Sequence, residues 1–265
     1  MFSPAEVANN VIGIGKAKAG NKPYKLFLLG ILAGMFIALA AVGANTASCT
    51  IANASVGKLV GACIFPVGLL MVLVAGSELF TGNNLIIVSV LTGDVKWTAM
   101  LKNWGIVYLG NFVGSILIAL IACYSGQFGL FGGALAATTI KVATGKATLT
   151  FGQAILKGIA CNFLVCIAVW MSFAAKSVGG KLAAVYLPIM LFVLAGFEHS
   201  VANMYYVPAG LFAASATGTA AEGLTWGNFF INNLIPVTIG NIIGGAVLVG
   251  VMYWAIYLAD AKKAD

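Results

Sequence analysis

Arginine is absent from this sequence of 265 residues, and charge of either sign is scarce. Only 8% of the residues are charged, and all 14 basic residues are lysine. Soluble globular proteins carry about 25% charged residues, so this composition excludes a soluble enzyme and a disordered chain. Without arginine forks or basic clusters interleaved with aromatic residues, we expect no nucleic-acid partner. With 61% hydrophobic residues and a mean hydropathy of +1.03, the chain is typical of a polytopic membrane protein.

Cysteine pairs with redox or metal-ligand spacing are also missing. The five cysteines are Cys49, Cys63, Cys123, Cys161 and Cys166, and no two of them form a CxxC pair. Four of the five fall within apolar runs. We interpret them as small hydrophobic core residues, which argues against a disulfide scaffold. The sequence offers no metal-ligand set and no nucleophile beside a base, so we expect no metal and no cofactor. A membrane-embedded enzyme that uses His199 and Glu198 is a minor alternative.

Long uncharged runs predict the architecture. A membrane-spanning helix needs about 20 mostly apolar residues, and six runs approach or exceed this length. They cover residues 26–42, 59–91, 104–123, 154–173, 182–212 and 234–259, and the second and fifth are interrupted in the middle. We therefore predict an all-α polytopic membrane protein with six transmembrane helices, of which the second and fifth are broken.

The distribution of lysine predicts the orientation in the membrane. Six spans place both termini on one side, which carries ten lysines, whereas the other side carries only Lys58, Lys141, Lys146 and Lys157. Because lysine-rich loops stay in the cytoplasm, we expect a multi-pass protein of the cell membrane with cytoplasmic N- and C-termini. Residues 1–20, which begin with the helix-capping sequence Ser3-Pro4-Ala5-Glu6, predict an N-terminal helix that lies on the inner leaflet.

Two pairs of matching motifs indicate an internal repeat. The pattern N-x6-G-N-x-x-G occurs at residues 103–114 and 233–244, an offset of 130 residues, and its G-x-x-x-G spacing favours close helix packing. The pattern A-G-x-E occurs at residues 75–78 and 195–198, an offset of 120 residues. Each half then has three spans, and this odd number inverts the second half in the membrane. We predict a single channel domain over residues 1–265, with repeat halves at 21–123 and 124–265.

The two interruptions, at residues 76–84 and 196–203, contain ionisable and hydrogen-bonding side chains. Such residues are costly near the bilayer midplane and indicate function by default. Glu78 and Glu198 are best explained as structural carboxylates that accept from the free N–H groups of unwound turns. His199, the only histidine, is predicted to lie on a pathway, because imidazole can donate a hydrogen bond and exchange a proton near neutral pH. Thr81 in the other interruption offers a hydroxyl that can donate or accept.

Apolar residues precede both interruptions. Phe65 and Leu69 lie upstream of the first and Phe192 lies upstream of the second. Their helical spacing alone predicts core packing, although apolar constrictions can also gate pores by dewetting. Lys146, in a predicted loop before the fourth span, is most simply a solvated charge, and an electrostatic funnel for anions is the functional alternative.

Three stretches resemble the formate/nitrite transporter family, and the resemblance extends over essentially the whole chain. They are Ser77-Glu78-Leu79-Phe80-Thr81-Gly82, Gly196-Phe197-Glu198-His199-Ser200-Val201-Ala202-Asn203-Met204 and Asn233-Leu234-Ile235-Pro236-Val237-Thr238-Ile239-Gly240-Asn241. The resemblance implies an aquaporin-like fold and a homopentamer in which each subunit has its own pore. It also implies a central chamber in which His199 faces Thr81.

The same resemblance implies roles for further side chains. An outer hydrophobic slit would contain Phe65, Leu69 and Phe192, and an inner slit would contain Phe80 and Val165. The asparagines of the family's chamber match Asn162 and Asn203. The lysine of the family's vestibule matches Lys146.

Members of this family carry formate, nitrite, hydrosulfide or lactate. The turn Thr81-Gly82-Asn83-Asn84 is more similar to the nitrite and hydrosulfide branches, so we predict hydrosulfide as the substrate, with nitrite and formate as alternatives. We expect small monovalent anions and protons as partners, with the anion concentrated by lysines, dehydrated in the slits and stabilised or protonated by His199 with Thr81. If the ion crosses as its neutral acid, the flux rises as the external pH falls. The alternatives are an aquaporin-like channel for neutral solutes and a non-conducting membrane scaffold or sensor.

Overall fold

The structure, a computed structural model, describes residues 1–260, and every regular element in them is helical. The α-helices are α1 (Pro4–Gly20), α2 (Pro23–Ser48), α3 (Ala54–Ile64), α4 (Val67–Met71), α5 (Ile87–Leu91), α6 (Trp97–Tyr124), α7 (Ala134–Ala147), α8 (Phe151–Ala174), α9 (Val178–Leu194), α10 (Ser200–Thr217), α11 (Trp226–Asn228), α12 (Ile235–Ile242) and α13 (Met252–Tyr257). The 3₁₀ turns cover Gly82–Ile86 and Gln127–Gly133, and the π-helical segments cover Val72–Gly76, Phe229–Leu234 and Ile243–Val251. The all-α prediction is confirmed. Lys262 and Lys263, which entered the orientation argument, lie outside the described residues.

Five helical stretches within residues 1–260 are long and apolar enough to cross a membrane, by length and composition. They are Pro23–Ser48, Ala54–Gly76, Trp97–Tyr124, Phe151–Ala174 and Trp226–Tyr257. The predicted fifth span is not among them, because a break divides it into α9 and α10. The second span also continues beyond its break, as the short helical stretch Gly82–Leu91.

Both predicted interruptions are present as short breaks. The first break covers residues 77–81, and the second break covers residues 195–199. Each break has a glycine in the left-handed region, a conformation that strains residues with a side chain. Gly76, with φ 85°, directly precedes the first break, and Gly196, with φ 73°, lies within the second. The breaks are shorter than predicted, because Asn83 and Asn84 lie in a 3₁₀ turn and Asn203 lies in α10. Helical structure therefore begins earlier after each break than the sequence predicts.

Glycines allow two pairs of helices to approach closely. α2 packs against α6, and a Cβ on Gly114 would overlap the carbonyl oxygen of Ile31. α8 packs against α12 in the same way, since a Cβ on Gly240 would overlap the carbonyl oxygen of Ile155. The glycines of the repeated motif therefore permit close contact between helix backbones, as is common between membrane helices.

We expect Gly114→Ala to destabilise the protein by about 1–3 kcal/mol, because the added methyl group overpacks the contact between α2 and α6. Gly105→Ala is the matched control in the same helix, because a Cβ there meets no atom within 4 Å. Thermal unfolding in detergent, followed by tryptophan fluorescence, measures the difference. An equal melting temperature for the two variants would contradict the packing argument.

The N-terminal helix α1 packs against the rest of the chain. Its capping box is formed, with the Ser3 amide donating to the Glu6 carboxylate over 2.7 Å, and this hydrogen bond lowers the pKa of Glu6 below its ordinary value. Val7 and Val11 are each 1% exposed, so the apolar face expected to contact a lipid leaflet is buried against protein. The Ser89 hydroxyl donates to an α1 carbonyl over 3.0 Å. α1 thus packs against α5 and against the 3₁₀ turn Gly82–Ile86, which directly follows the first break.

Candidate functional site

The two breaks meet inside the protein. Thr81 from the first break and His199 from the second are both buried, and Thr81 Oγ1 lies 2.8 Å from His199 Nε2. The structure thus brings together the two side chains that the family resemblance placed opposite each other. The two residues are 118 positions apart in the sequence, so only the fold brings them into contact.

The hydrogen bonds of the His199 ring indicate its tautomer. His199 is the N-cap of α10, and its Nδ1 accepts from the Ala202 amide over 3.0 Å. In a neutral imidazole the other nitrogen then carries the hydrogen, so Nε2–H donates to Thr81 Oγ1. A proton on Nδ1 would remove the cap and add positive charge at the positive end of the α10 dipole. The geometry therefore favours a neutral His199 and leaves the hydroxyl hydrogen of Thr81 available to another acceptor.

Glu198 in the second break is paired with a lysine. Both of its carboxylate oxygens accept from Lys146 Nζ over 3.0 Å, and Asn203 Nδ2 donates to the same carboxylate over 2.7 Å. Lys146 lies in the last turn of α7, a helix that the sequence analysis missed, and its side chain is only 15% exposed. Lys146 is therefore an ion-pair partner and differs from the solvated loop charge that the sequence suggested.

Glu78 in the first break has an equivalent partner, which the sequence analysis did not identify. Lys18 Nζ donates to Glu78 Oε2 over 2.9 Å, and Asn83 Nδ2 donates to the same oxygen over 2.6 Å. Lys18 precedes Glu78 by 60 residues, and no local pattern connects them. Side-chain donors, rather than the free backbone N–H groups that we expected, thus bind this carboxylate.

The asparagines of the repeated motif bind the backbone of the breaks. Asn111 Nδ2 donates to the carbonyl of Glu78 over 2.9 Å, and its Oδ1 accepts from the Phe80 amide over 3.0 Å. Asn241 makes the two equivalent contacts around the second break, over 3.0 and 2.9 Å. Glycine packing alone, which the sequence predicts for this motif, therefore does not explain it fully. The constant spacing between asparagine and glycine in both halves was the signal for this second role.

Two cavities lie along successive parts of the second span. The lysine cavity has a volume of about 630 Å³, and the α1 cavity has a volume of about 380 Å³. The walls of the lysine cavity include Lys58, Lys141, Lys146, Lys157, Glu198 and His199. The walls of the α1 cavity include Lys18, Leu69, Glu78, Gly82 and Asn83. Each cavity therefore reaches one of the two breaks.

Aromatic rings form the deep wall of the lysine cavity next to His199. Phe65 meets Phe192 edge-on at a centroid distance of 5.7 Å, and Phe192 stacks on the His199 ring at 5.9 Å. Tyr206, which the sequence analysis missed, stacks on Phe65 at 6.5 Å. Leu69, expected with Phe65 and Phe192, lines the α1 cavity instead.

Phe80 and Val165, expected at the inner slit, are both buried. Phe80 packs edge-on against Tyr108 at 4.9 Å and against Trp104 at 5.9 Å. Neither Phe80 nor Val165 is in the wall of the lysine cavity or the α1 cavity. A constricting role for these two residues stays a prediction.

Asn162 and Asn203, expected in the chamber, are fully buried. Asn162 Nδ2 lies 3.2 Å from the carbonyl oxygen of Thr81 and 2.7 Å from that of Asn241, so it links the first break to α12. Asn203 is engaged with the carboxylate of Glu198. Both amides thus position the breaks, and neither lines one of the two cavities. Within residues 1–260, no group of three His, Cys, Asp or Glu side chains is placed to hold a metal ion.

Paired broken helices that meet between cavities are typical of membrane channels and transporters, and the five long apolar stretches make this a multi-pass membrane protein of that class. The family model described as formate/nitrite transporter matches residues 5–255, so the chain belongs to the formate/nitrite transporter family. The chain is 42% identical over 273 residues to the formate channel FocA of Escherichia coli strain K12. That alignment covers 98% of this chain and 96% of FocA.

Two solved structures share the fold. The structure described as a pentameric formate channel with formate bound is 40% identical, with a TM-score of 0.79 over 89% of this chain and 98% of its own. The structure described as an FNT family ion channel is 29% identical, with a TM-score of 0.85 over 95% of this chain and 98% of its own. The family predicted from the sequence is thereby confirmed.

Proposed function

We propose that this protein is a homopentameric channel that conducts formate across the cell membrane, with one pore in each subunit. The name of its relative FocA and the description of the pentameric structural neighbour support formate and the pentamer. Hydrosulfide was favoured by the turn at residues 81–84. It has less support than formate, because that turn is four residues long whereas the formate channel is similar over 98% of this chain.

The contact between Thr81 and His199 carries the proposed mechanism. An anion that enters an apolar pore loses water, which is costly unless other donors replace it. The Thr81 hydroxyl supplies a donor, because Nε2–H of His199 occupies its oxygen from the other side over 2.8 Å. A carboxylate oxygen of formate is a strong acceptor for such a hydroxyl. His199 acts by orienting Thr81 while it stays neutral, so stabilisation of the ion has more support than protonation by His199.

The paired glutamates make the pathway compatible with an anion. A bare carboxylate beside either break would repel formate, and each glutamate instead has a lysine within 3.0 Å. In this proposal Phe65 and Phe192 form the outer constriction, which excludes larger and more strongly hydrated ions.

The lysine distribution supports an orientation in which the lysine cavity opens outside and the α1 cavity opens to the cytoplasm, with both termini cytoplasmic. The equivalent contacts of Asn111 and Asn241 support a single channel domain with inverted halves at residues 21–123 and 124–265.

Liposomes that contain the purified protein test the proposed substrate. We expect formate flux, measured by stopped flow, to exceed nitrite and hydrosulfide flux after subtraction of the flux into empty liposomes. Glycerol is the matched neutral solute and should not be conducted. Faster hydrosulfide flux would overturn the formate assignment, glycerol flux would indicate a neutral-solute channel, and no flux of any solute would indicate a scaffold or sensor.

A further inference from the structure

The lysine cavity contains more positive charge than its ion pair uses. Lys146 is bound to both carboxylate oxygens of Glu198. The other three lysines of the cavity wall, Lys58, Lys141 and Lys157, have no ion-pair partner within residues 1–260. Lys58 and Lys157 are close enough to interact electrostatically, as are Lys58 and Lys146. Glu198 also attracts Lys58, but with four lysines and one glutamate the cavity wall carries a net charge of +3.

The α1 cavity differs from the lysine cavity in charge. Its wall contains one lysine and one glutamate, Lys18 and Glu78, and these two are paired over 2.9 Å. Of the two cavities, only the lysine cavity has a wall with excess positive charge. Like charges held near one another repel, so three unpaired lysines in one concave surface favour binding of an anion with more than one negative charge.

Asn45 provides a second observation in the same wall. Its side chain is 6% exposed, and the amide Nδ2 has no acceptor within the described residues. A buried amide N–H without an acceptor is destabilising. The oxygen Oδ1 of the same group is not among the buried atoms without a partner. A half-turn of the carboxamide exchanges Nδ2 with Oδ1 and would move the N–H bonds to this less enclosed side, where an anion oxygen in the cavity can accept them.

The size of the cavity and the aromatic rings in its wall determine whether such an anion can enter the cavity and whether it can pass through the pore. A volume of about 630 Å³ accommodates a small dicarboxylate. Phe65 and Phe192, both only 3% exposed, lie in the cavity wall beside His199 with their apolar rings in edge-on contact. Dehydration costs a divalent ion far more than a monovalent one, because the Born cost rises with the square of the charge. A dicarboxylate can therefore enter the cavity but cannot pass the rings.

We propose that the lysine cavity is a binding site for small dicarboxylates, which Lys58, Lys141 and Lys157 bind in front of the aromatic constriction and which thereby block the pore. The site rests on the proposed function only for the blocking step. Binding of the dicarboxylate depends on the cavity alone. The attraction also weakens as salt is added, because Lys58 and Lys141 are exposed.

Calorimetric titration of the purified protein in detergent with malonate tests the site. We expect malonate to bind the wild-type protein and to bind Lys58→Gln/Lys141→Gln about tenfold more weakly or worse, since each ammonium in contact with an anion contributes a factor of about five in water. Lys22→Gln/Lys102→Gln is the matched control, with the same charge change at exposed lysines outside both cavities. Acetate is the matched monovalent ligand and should bind more weakly than malonate.

A second measurement follows malonate inhibition of formate flux in liposomes. Inhibition should require more malonate in Lys58→Gln/Lys141→Gln than in the control pair, by the same factor as in the titration. Absence of malonate binding to the wild-type protein, or equal affinity in the two double variants, would overturn the site. If malonate binds as expected but formate is not conducted, the proposed function fails and the binding site stands.

Discussion

Formate flux through the Thr81→Val variant is expected to fall about 10- to 100-fold, because a hydrogen bond to a charged group contributes about 1.5–3 kcal/mol and each 1.36 kcal/mol is tenfold in rate. Valine fills nearly the same volume but cannot donate to an anion. The Nε2–H of His199 also loses its acceptor, which lies 2.8 Å away in the wild-type protein. Stopped-flow measurement of formate entry into liposomes, at equal protein content, determines the ratio.

The control for this variant is Thr81→Ser, which retains the hydroxyl and loses one methyl group. Its flux should stay close to that of the wild-type protein, although Thr81 is fully buried and a small cavity forms. If Thr81→Val conducts formate as fast as Thr81→Ser, the hydroxyl does not bind the anion and the proposed mechanism is wrong. Equal melting temperatures for the two variants would show that the comparison reports on conduction rather than on folding.

The architecture was predictable from the sequence because membrane helices leave strong local signals. Uncharged runs and the polar residues that interrupt them are local signals, and they predicted both breaks to within a few residues. The repeat at a constant offset identified equivalent positions in the two halves. It also contained the asparagines Asn111 and Asn241, whose contacts with the breaks follow from the same register once the role of the amide is considered.

The parts that could not be predicted depend on distant contacts. Lys18 binds Glu78, which lies 60 residues later in the sequence. The repeat does not predict this contact, because Lys18 lies before the first half whereas the equivalent lysine, Lys146, lies within the second half. α7 was missed because Ala134–Ala147 is short and has mixed polarity, so no uncharged run marks it. Leu69 follows Phe65 by about one helical turn, which predicted that the two would share one constriction. In the structure Phe65 lines the lysine cavity and Leu69 lines the α1 cavity.

Replacing Lys146 with glutamine is expected to reduce both stability and conduction. Glu198 would stay buried without its counter-charge, and removal of one partner from a buried ion pair costs about 3–5 kcal/mol. The unpaired carboxylate would also lie next to His199 in the cavity wall, where a charge repels an anion at contact distance by about 1–4 kcal/mol. We expect formate flux to fall about tenfold or more at equal protein content. Thermal unfolding in detergent and stopped-flow flux measure the two effects separately.

The double variant Lys146→Gln/Glu198→Gln separates charge from packing. It removes both charges and keeps two hydrogen-bonding amides, so it should recover most of the stability and flux that Lys146→Gln loses. A double variant as impaired as the single one would show that the unpaired charge is not the cause. Lys18→Gln is the comparison in the other half, and its loss should be smaller, because Lys18 is 26% exposed against 15% for Lys146 and water partly compensates the remaining carboxylate. A larger loss for Lys18→Gln would contradict this ranking and would place the more sensitive ion pair at the first break.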